Sequence, residues 1–90
     1  MTRMRMTIIE PHALKHGIPE KDIVHAWENY LVGATRIPGE REIRIGLSPD
    51  GREIEMVGAL LESGEWLVYH AMIPPTKKTR REIEAAKRRL

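Results

Sequence analysis

Arg41-Glu42-Ile43-Arg44-Ile45-Gly46-Leu47 alternates apolar with other residues one for one, and the fold can be read outward from it. A period of two places Ile43, Ile45 and Leu47 on one side of an extended strand and Glu42, Arg44 and Gly46 on the other. Ser48-Pro49-Asp50-Gly51 comes next. Proline presets φ at the second turn position there, and glycine accepts the positive φ that closes the turn. Alternation resumes from Arg52 to Leu61, with Ile54 and Met56 set between Glu53 and Glu55. Glu62-Ser63-Gly64-Glu65 makes a second turn. Trp66-Leu67-Val68-Tyr69-His70-Ala71-Met72 is then apolar at both parities, which predicts burial on both faces and a central position. Pro74-Pro75 ends this three-stranded meander.

Upstream, Met6-Thr7-Ile8-Ile9 reads as a short strand ended by Pro11. Pro11 to His16 makes one helical turn, stopped at Gly17. Pro19-Glu20-Lys21-Asp22 opens a second helix, with proline at a first-turn position and acids at the positive end of the dipole. Ile23, Trp27 and Tyr30 follow at i, i+4 and i+7, so this helix should run for about three turns. Gly33 and Pro38-Gly39 break the chain. Downstream, Thr76 or Thr79 caps a last helix, and Thr79-Arg80-Arg81-Glu82 has capping-box spacing. Ile83, Ala86 and Leu90 form a thin apolar stripe under a basic shell. The expectation is one α+β domain over residues 1–90. An antiparallel three- to four-stranded sheet packs with an N-terminal helical pair and a basic C-terminal helix.

Composition narrows the function. Ninety residues, 41% of them apolar, allow one thin core. Its aromatics are Trp27, Trp66, Tyr30 and Tyr69, with no Phe. The absence of cysteine excludes a disulfide framework, a Cys-based zinc site and a thiol nucleophile. No apolar run reaches the roughly 18 residues of a membrane span. Met1 to Met6 carry two Arg without a following apolar segment, so no secretory signal is expected and the cytoplasm is the expected compartment. Residues 76–90 hold seven basic and two acidic residues, a net +5 that leaves −3 on the rest of a chain totalling +2. Such a block suits a phosphate backbone, an acidic protein, or simply solvent.

The familiar motifs of catalysis are missing: no phosphate-cradling glycine loop, no dinucleotide fingerprint, no His-Glu-x-x-His, no nucleophile elbow. His12 and His16 stand at i, i+4, yet no carboxylates accompany them at a ligand spacing, so no metal and no cofactor is expected. His25 reads as a solvent-side helix residue. What remains is a set suited to a phosphodiester: Arg44 on the first meander strand, His70 near the end of the last, and Lys77, Lys78 and Arg81 beyond it. RNA is cleaved without metal when its 2′-hydroxyl attacks the adjacent phosphate. Histidine serves that route as acid or base, and Arg and Lys steady the pentacoordinate charge. Taken alone, an Arg on a half-exposed strand is usually solvated, and a His in an apolar strand is usually a hydrogen-bonded core residue. On composition and spacing alone, an enzyme is the minority reading.

Three stretches resemble a known family. Lys15-His16-Gly17-Ile18, with Trp27-Glu28-Asn29-Tyr30-Leu31 after a short helix, resembles the entry pattern of the BrnT-type toxins, within the RelE-like ribonuclease toxins of bacterial toxin–antitoxin pairs. Arg41 to Leu47 with Asp50-Gly51-Arg52 resembles that family's first hairpin. His70-Ala71 and Thr76-Lys77-Lys78-Thr79-Arg80-Arg81-Glu82 resemble its end. The likeness runs from about Leu14 to Ala86, through short motifs of moderate specificity. It departs at Tyr30, where the family has Pro, and at Met72-Ile73-Pro74-Pro75, where the family has an Arg- and Lys-containing run.

The resemblance implies a small RelE-like fold and a bacterial, cytoplasmic toxin. Its activity would be a metal-independent ribonuclease that blocks translation. It also implies a cognate antitoxin that carries a DNA-binding domain and joins the toxin in a heterotetramer or larger assembly. Lys15, His16, Arg44, Lys77, Lys78 and Arg81 match basic positions of its motifs, whereas His70 enters on chemistry alone. The expected catalytic set is His16, Arg44, His70 and Lys77, with acid and base unassigned between the two histidines. The expected RNA contacts are Lys15, Lys78, Arg80 and Arg81. The antitoxin is expected over the sheet and last helix, shielding Arg44, His70 and Lys77. Two other classes stay open: a non-catalytic protein-binding module on the same scaffold, and a small nucleic-acid-binding regulator using the last helix.

Overall fold

The computed structural model describes residues 7–89; what was expected of Met1 to Met6 and of Leu90 lies outside the described residues. In chain order the elements are β1 (Thr7–Ile9), a 3-10 turn (Pro11–Leu14), α1 (Glu20–Glu28), β2 (Tyr30–Ile37), β3 (Arg41–Leu47), β4 (Glu53–Leu60), β5 (Trp66–Met72) and α2 (Lys77–Arg88). They make one five-stranded sheet in the order β1-β5-β4-β3-β2. Neighbours from β2 to β5 run antiparallel, and β1 lies parallel to β5 with Ile8 opposite Leu67.

This corrects the expected architecture: among the described residues the sheet is mixed and five-stranded, not antiparallel with three or four strands, and no N-terminal helical pair forms. Pro11 to His16 yields only a single 3-10 turn, capped by the Glu10 side chain, which accepts from the His12 backbone N–H at 2.8 Å. Tyr30 continues the apolar spacing of α1, yet the helix has already stopped at Glu28. Asn29 turns the chain there, its amide donating to the His25 carbonyl at 3.0 Å. Tyr30 therefore opens β2, a strand that Gly33 and two register shifts, at Tyr30/Val32 and Thr35/Ile37, hide from a period-two reading. β4, rather than β5, is the central strand.

One face of the sheet is closed by α1. Ile23, Ala26 and Trp27 pack there on Ile54, Met56, Val68 and Ala71. Two glycines permit the approach: a Cβ on Gly46 would lie 2.1 Å from the Ala26 carbonyl oxygen, and one on Gly58 would lie 2.6 Å from the Trp27 ring. On the other face α2 sets Ile83 against Ile43, Ile45 and Val57, with Val32 and Ala34 alongside. Thr76 is its N-cap, the hydroxyl accepting from the Thr79 backbone N–H at 3.2 Å. Glu82, which the capping-box spacing assigned to Thr79, instead takes both arms of the Arg36 guanidinium at 2.9 Å each. Among the described residues no helix is long and apolar enough to cross a membrane.

Candidate functional site

A bulge in β5 creates the site. Val57 pairs with His70 and Gly58 with Val68, so Tyr69 is the extra residue between them. An extra residue shifts side-chain parity. Trp66, Val68 and Ala71 stay in the α1-side core, while Tyr69 packs beside Val57 under α2 and His70 turns to the same side to meet Glu55.

Glu55 is only 5% exposed. One carboxylate oxygen accepts from the Thr76 backbone N–H at 2.8 Å and from the Thr76 hydroxyl at 3.1 Å; the other lies 2.8 Å from His70 Nε2. Burial pushes this carboxyl up, but the Thr76 N–H, the Thr79 hydroxyl, His70 and the Thr76 hydroxyl outweigh it and hold it below the ordinary carboxylate value. An ionised carboxylate has no proton to donate, so the hydrogen between the two groups belongs to His70 Nε2. In the neutral ring Nδ1 then keeps its lone pair, and His70 has a fixed tautomer and a fixed orientation.

Around this pair is an open groove of about 450 Å³. α2 supplies Thr76, Lys78 and Thr79 as one wall, the 3-10 turn brings His12 to it, and Arg36 enters from β2. His16 lies outside this lining, its ring centre 6.5 Å from that of His70, edge to face. The bond to Glu82 pushes Arg36 further up and Glu82 further down. Arg36 is thus a fixed charge, while Lys78 is exposed and makes no ion pair among the described residues. The groove therefore combines an oriented imidazole, a second imidazole from His12 and two cations, with His16 adjacent to His70.

Arg44 is not part of it. Strand alternation places Arg44 on the α1 face, the opposite side of the sheet from Ile43 and Ile45. Its guanidinium carbon lies 4.1 Å from the ring centres of both Trp27 and Tyr30 and 5.0 Å from that of Trp66. It donates twice to Glu42, at 2.8 and 3.0 Å, and once to the Trp27 carbonyl at 3.2 Å. With 11% of its side chain exposed, this cation is committed to packing.

The other expected residues divide. His70 and Lys78 line the groove, and His16 lies beside His70 without lining it. Lys77, Arg81 and Lys15 are exposed and do not line it, and Arg80 pairs with Glu53 at 2.6 Å. Sequence reasoning missed Glu55, Arg36 and Tyr69, and weighed His12 only as a metal ligand with His16 before setting it aside. Glu55 reads as the polar side of an alternating strand, and a bulge such as that at Tyr69 has no sequence signature. The one legible signal was His12 at i, i+4 from His16.

Among the described residues no three His, Asp or Glu side chains converge as a metal would require. Comparison of the chain with protein-family models, with curated proteins and with solved structures returns no match.

Proposed function

We propose that this chain is a metal-independent endoribonuclease, the toxin of a bacterial toxin–antitoxin pair that acts in the cytoplasm. The observation that carries the chemistry is the His70–Glu55 pair at 2.8 Å in a groove with Lys78 and Arg36. The toxin assignment rests on the motif resemblance to BrnT-type chains.

The step is an in-line transfer. His70 Nδ1 takes the proton of an RNA 2′-hydroxyl as its oxygen forms the new bond to phosphorus. The bond from phosphorus to the 5′-oxygen breaks, and a protonated imidazole of His12 or His16 returns a proton to that oxygen. The products are a 2′,3′-cyclic phosphate and a 5′-hydroxyl. Glu55 does not touch the substrate; it positions His70 and stabilises the imidazolium that forms. Lys78 and Arg36 steady the charge on the phosphorane oxygens.

Inducing the chain in bacteria should stop nascent protein synthesis, and His70→Ala at equal expression should release the block. In vitro the same change should lower the cleavage rate by about 10²- to 10⁴-fold, the usual share of a general base. Arrest by both forms alike would remove His70 from the mechanism.

One observation favours a non-catalytic, partner-holding reading. Edge strand β2 leaves Leu31 57% and Ile37 40% exposed, a surface suited to another protein. If neither form arrests synthesis, that reading takes precedence. In the toxin reading this edge is available to the cognate antitoxin.

A further inference from the structure

The half of the sheet that α2 leaves open forms a second groove, joined to the first. On this face Arg41, Ala59, Leu67 and Ile8 lie in one row across β3, β4, β5 and β1. A hollow of about 460 Å³ sits over the row, lined by Arg41, Ala59 and Leu67 and closed by Glu10, His12 and Tyr69. His12 and Tyr69 line the catalytic groove as well, so the two spaces share a wall. The floor is apolar, and Ile8 at its edge is 36% exposed. The Arg41 guanidinium carbon stands over the Tyr69 ring, 5.7 Å from its centre, and a base stacked on that face takes its place.

We propose that this hollow is a base-binding subsite for single-stranded RNA, with Tyr69 as its stacking platform. A flat apolar floor with a half-exposed aromatic ring suits the π-face of a nucleobase. Cations on both sides of that ring, Arg41 in one groove and Lys78 with Arg36 in the other, suit the phosphates before and after the nucleoside. An apolar peptide side chain would use the floor and leave Arg41 and Lys78, which have no ion pair among the described residues, unmatched. A paired base cannot lie flat on a sheet, so the ligand must be single-stranded. Because every base offers a π-face, sequence preference at this position is weak. The shared wall places the bound nucleoside next to the phosphate over His70. This last point rests on the ribonuclease reading; the stacking itself does not.

The probe is a fluorescein-labelled single-stranded 2′-O-methyl RNA of mixed sequence, which binds but has no hydroxyl to attack. Tyr69→Ala should weaken binding by roughly tenfold or more, the effect of losing one stacked base. Tyr69→Phe should match the wild type, since the ring and not the hydroxyl is used. Ile8→Glu alters an exposed residue at the edge of the hollow without opening the core, and should weaken binding as Tyr69→Ala does. It keeps the test valid if Tyr69→Ala fails to fold. The same sequence as a duplex should bind more weakly than the single strand. Absent binding, binding indifferent to both Tyr69→Ala and Ile8→Glu, or equal affinity for duplex would each overturn the subsite. Cleavage of the unmodified RNA separates the two proposals. Tyr69-dependent binding without cleavage keeps the subsite and removes the ribonuclease. Cleavage with unchanged KM in Tyr69→Ala and Ile8→Glu keeps the ribonuclease and removes the subsite.

Discussion

The two faces of the sheet put similar residues to different ends. On the α1 face an arginine, two tryptophans and a tyrosine are locked together, with Arg44 among Trp27, Tyr30 and Trp66, and the helix backbone rests directly on Gly46. On the α2 face two arginines, a tyrosine and two histidines border open grooves, because α2 covers Ile43, Ile45 and Val57 and stops short of the β5–β1 side. Residue type therefore does not separate groups locked into packing from groups left at an open surface in this chain; coverage by a helix does. A buried cation must spend its donors on the protein, as Arg44 does, whereas Lys78, exposed at the open groove and without an ion pair among the described residues, keeps them for a ligand.

The contrast can be attacked first at its tightest point. Gly46→Ala drives a Cβ to 2.1 Å from the Ala26 carbonyl, so α1 must lift from the sheet. We expect a loss of about 3 kcal/mol in urea unfolding, at the upper end of overpacking costs. Ile8→Ala, on the open half, should cost under about 1 kcal/mol because little of that side chain's surroundings is core. Equal costs would mean that the two faces are not differently packed.

Glu55→Ala comes next. It strips the Thr76 N–H of its acceptor and leaves His70 free to rotate. Stability should fall by about 2 kcal/mol, the scale of hydrogen bonds to a charged group. Arg44→Ala should cost somewhat less, about 1–2 kcal/mol, from lost cation–π contacts and packing on the closed face. The cleavage rate per folded molecule should not change.

The smallest effect is that of pH. Glu55 and Glu82 both have folded-state values held below the ordinary carboxylate range. The stability each contributes is complete above that range and is lost as pH falls through the folded-state value. Unfolding midpoints should therefore drop between neutral pH and about pH 3, and Glu55→Gln should flatten that slope more than Glu82→Gln, whose carboxylate is more exposed. An equal slope in all three proteins would deny the groove's carboxylate its place in the fold.

The parts of this molecule that were readable in sequence are those where one local rule decides. Ile43, Ile45 and Leu47 alternate without interruption, Pro49 and Gly51 fit one turn, and the two threonines, Thr76 and Thr79, mark the start of α2, although Thr76 and not the capping-box Thr79 is the cap. β2 was not readable because Tyr30 satisfies helical spacing from Ile23 and Trp27, and only the turn at Asn29 decides against it. The site was half readable. Histidines and lysines announce acid–base and phosphate chemistry by type, but the sheet decides which of them meet. Arg44 and His70 stand on alternating strands whose relative faces depend on a bulge at Tyr69, and Glu55 is recognisable only once Thr76 and His70 are beside it.

The central claim is that the working groups lie on the half-open face. It is tested most directly by RNA cleavage with purified wild type, His70→Ala and Arg44→Met, each corrected for its folded fraction. Met keeps the length of the Arg44 stem among the aromatic rings, so the fold survives the change. The account predicts that Arg44→Met cuts at the wild-type rate and that His70→Ala loses about 10²-fold or more. Full activity in His70→Ala together with a comparable loss in folded Arg44→Met would contradict it.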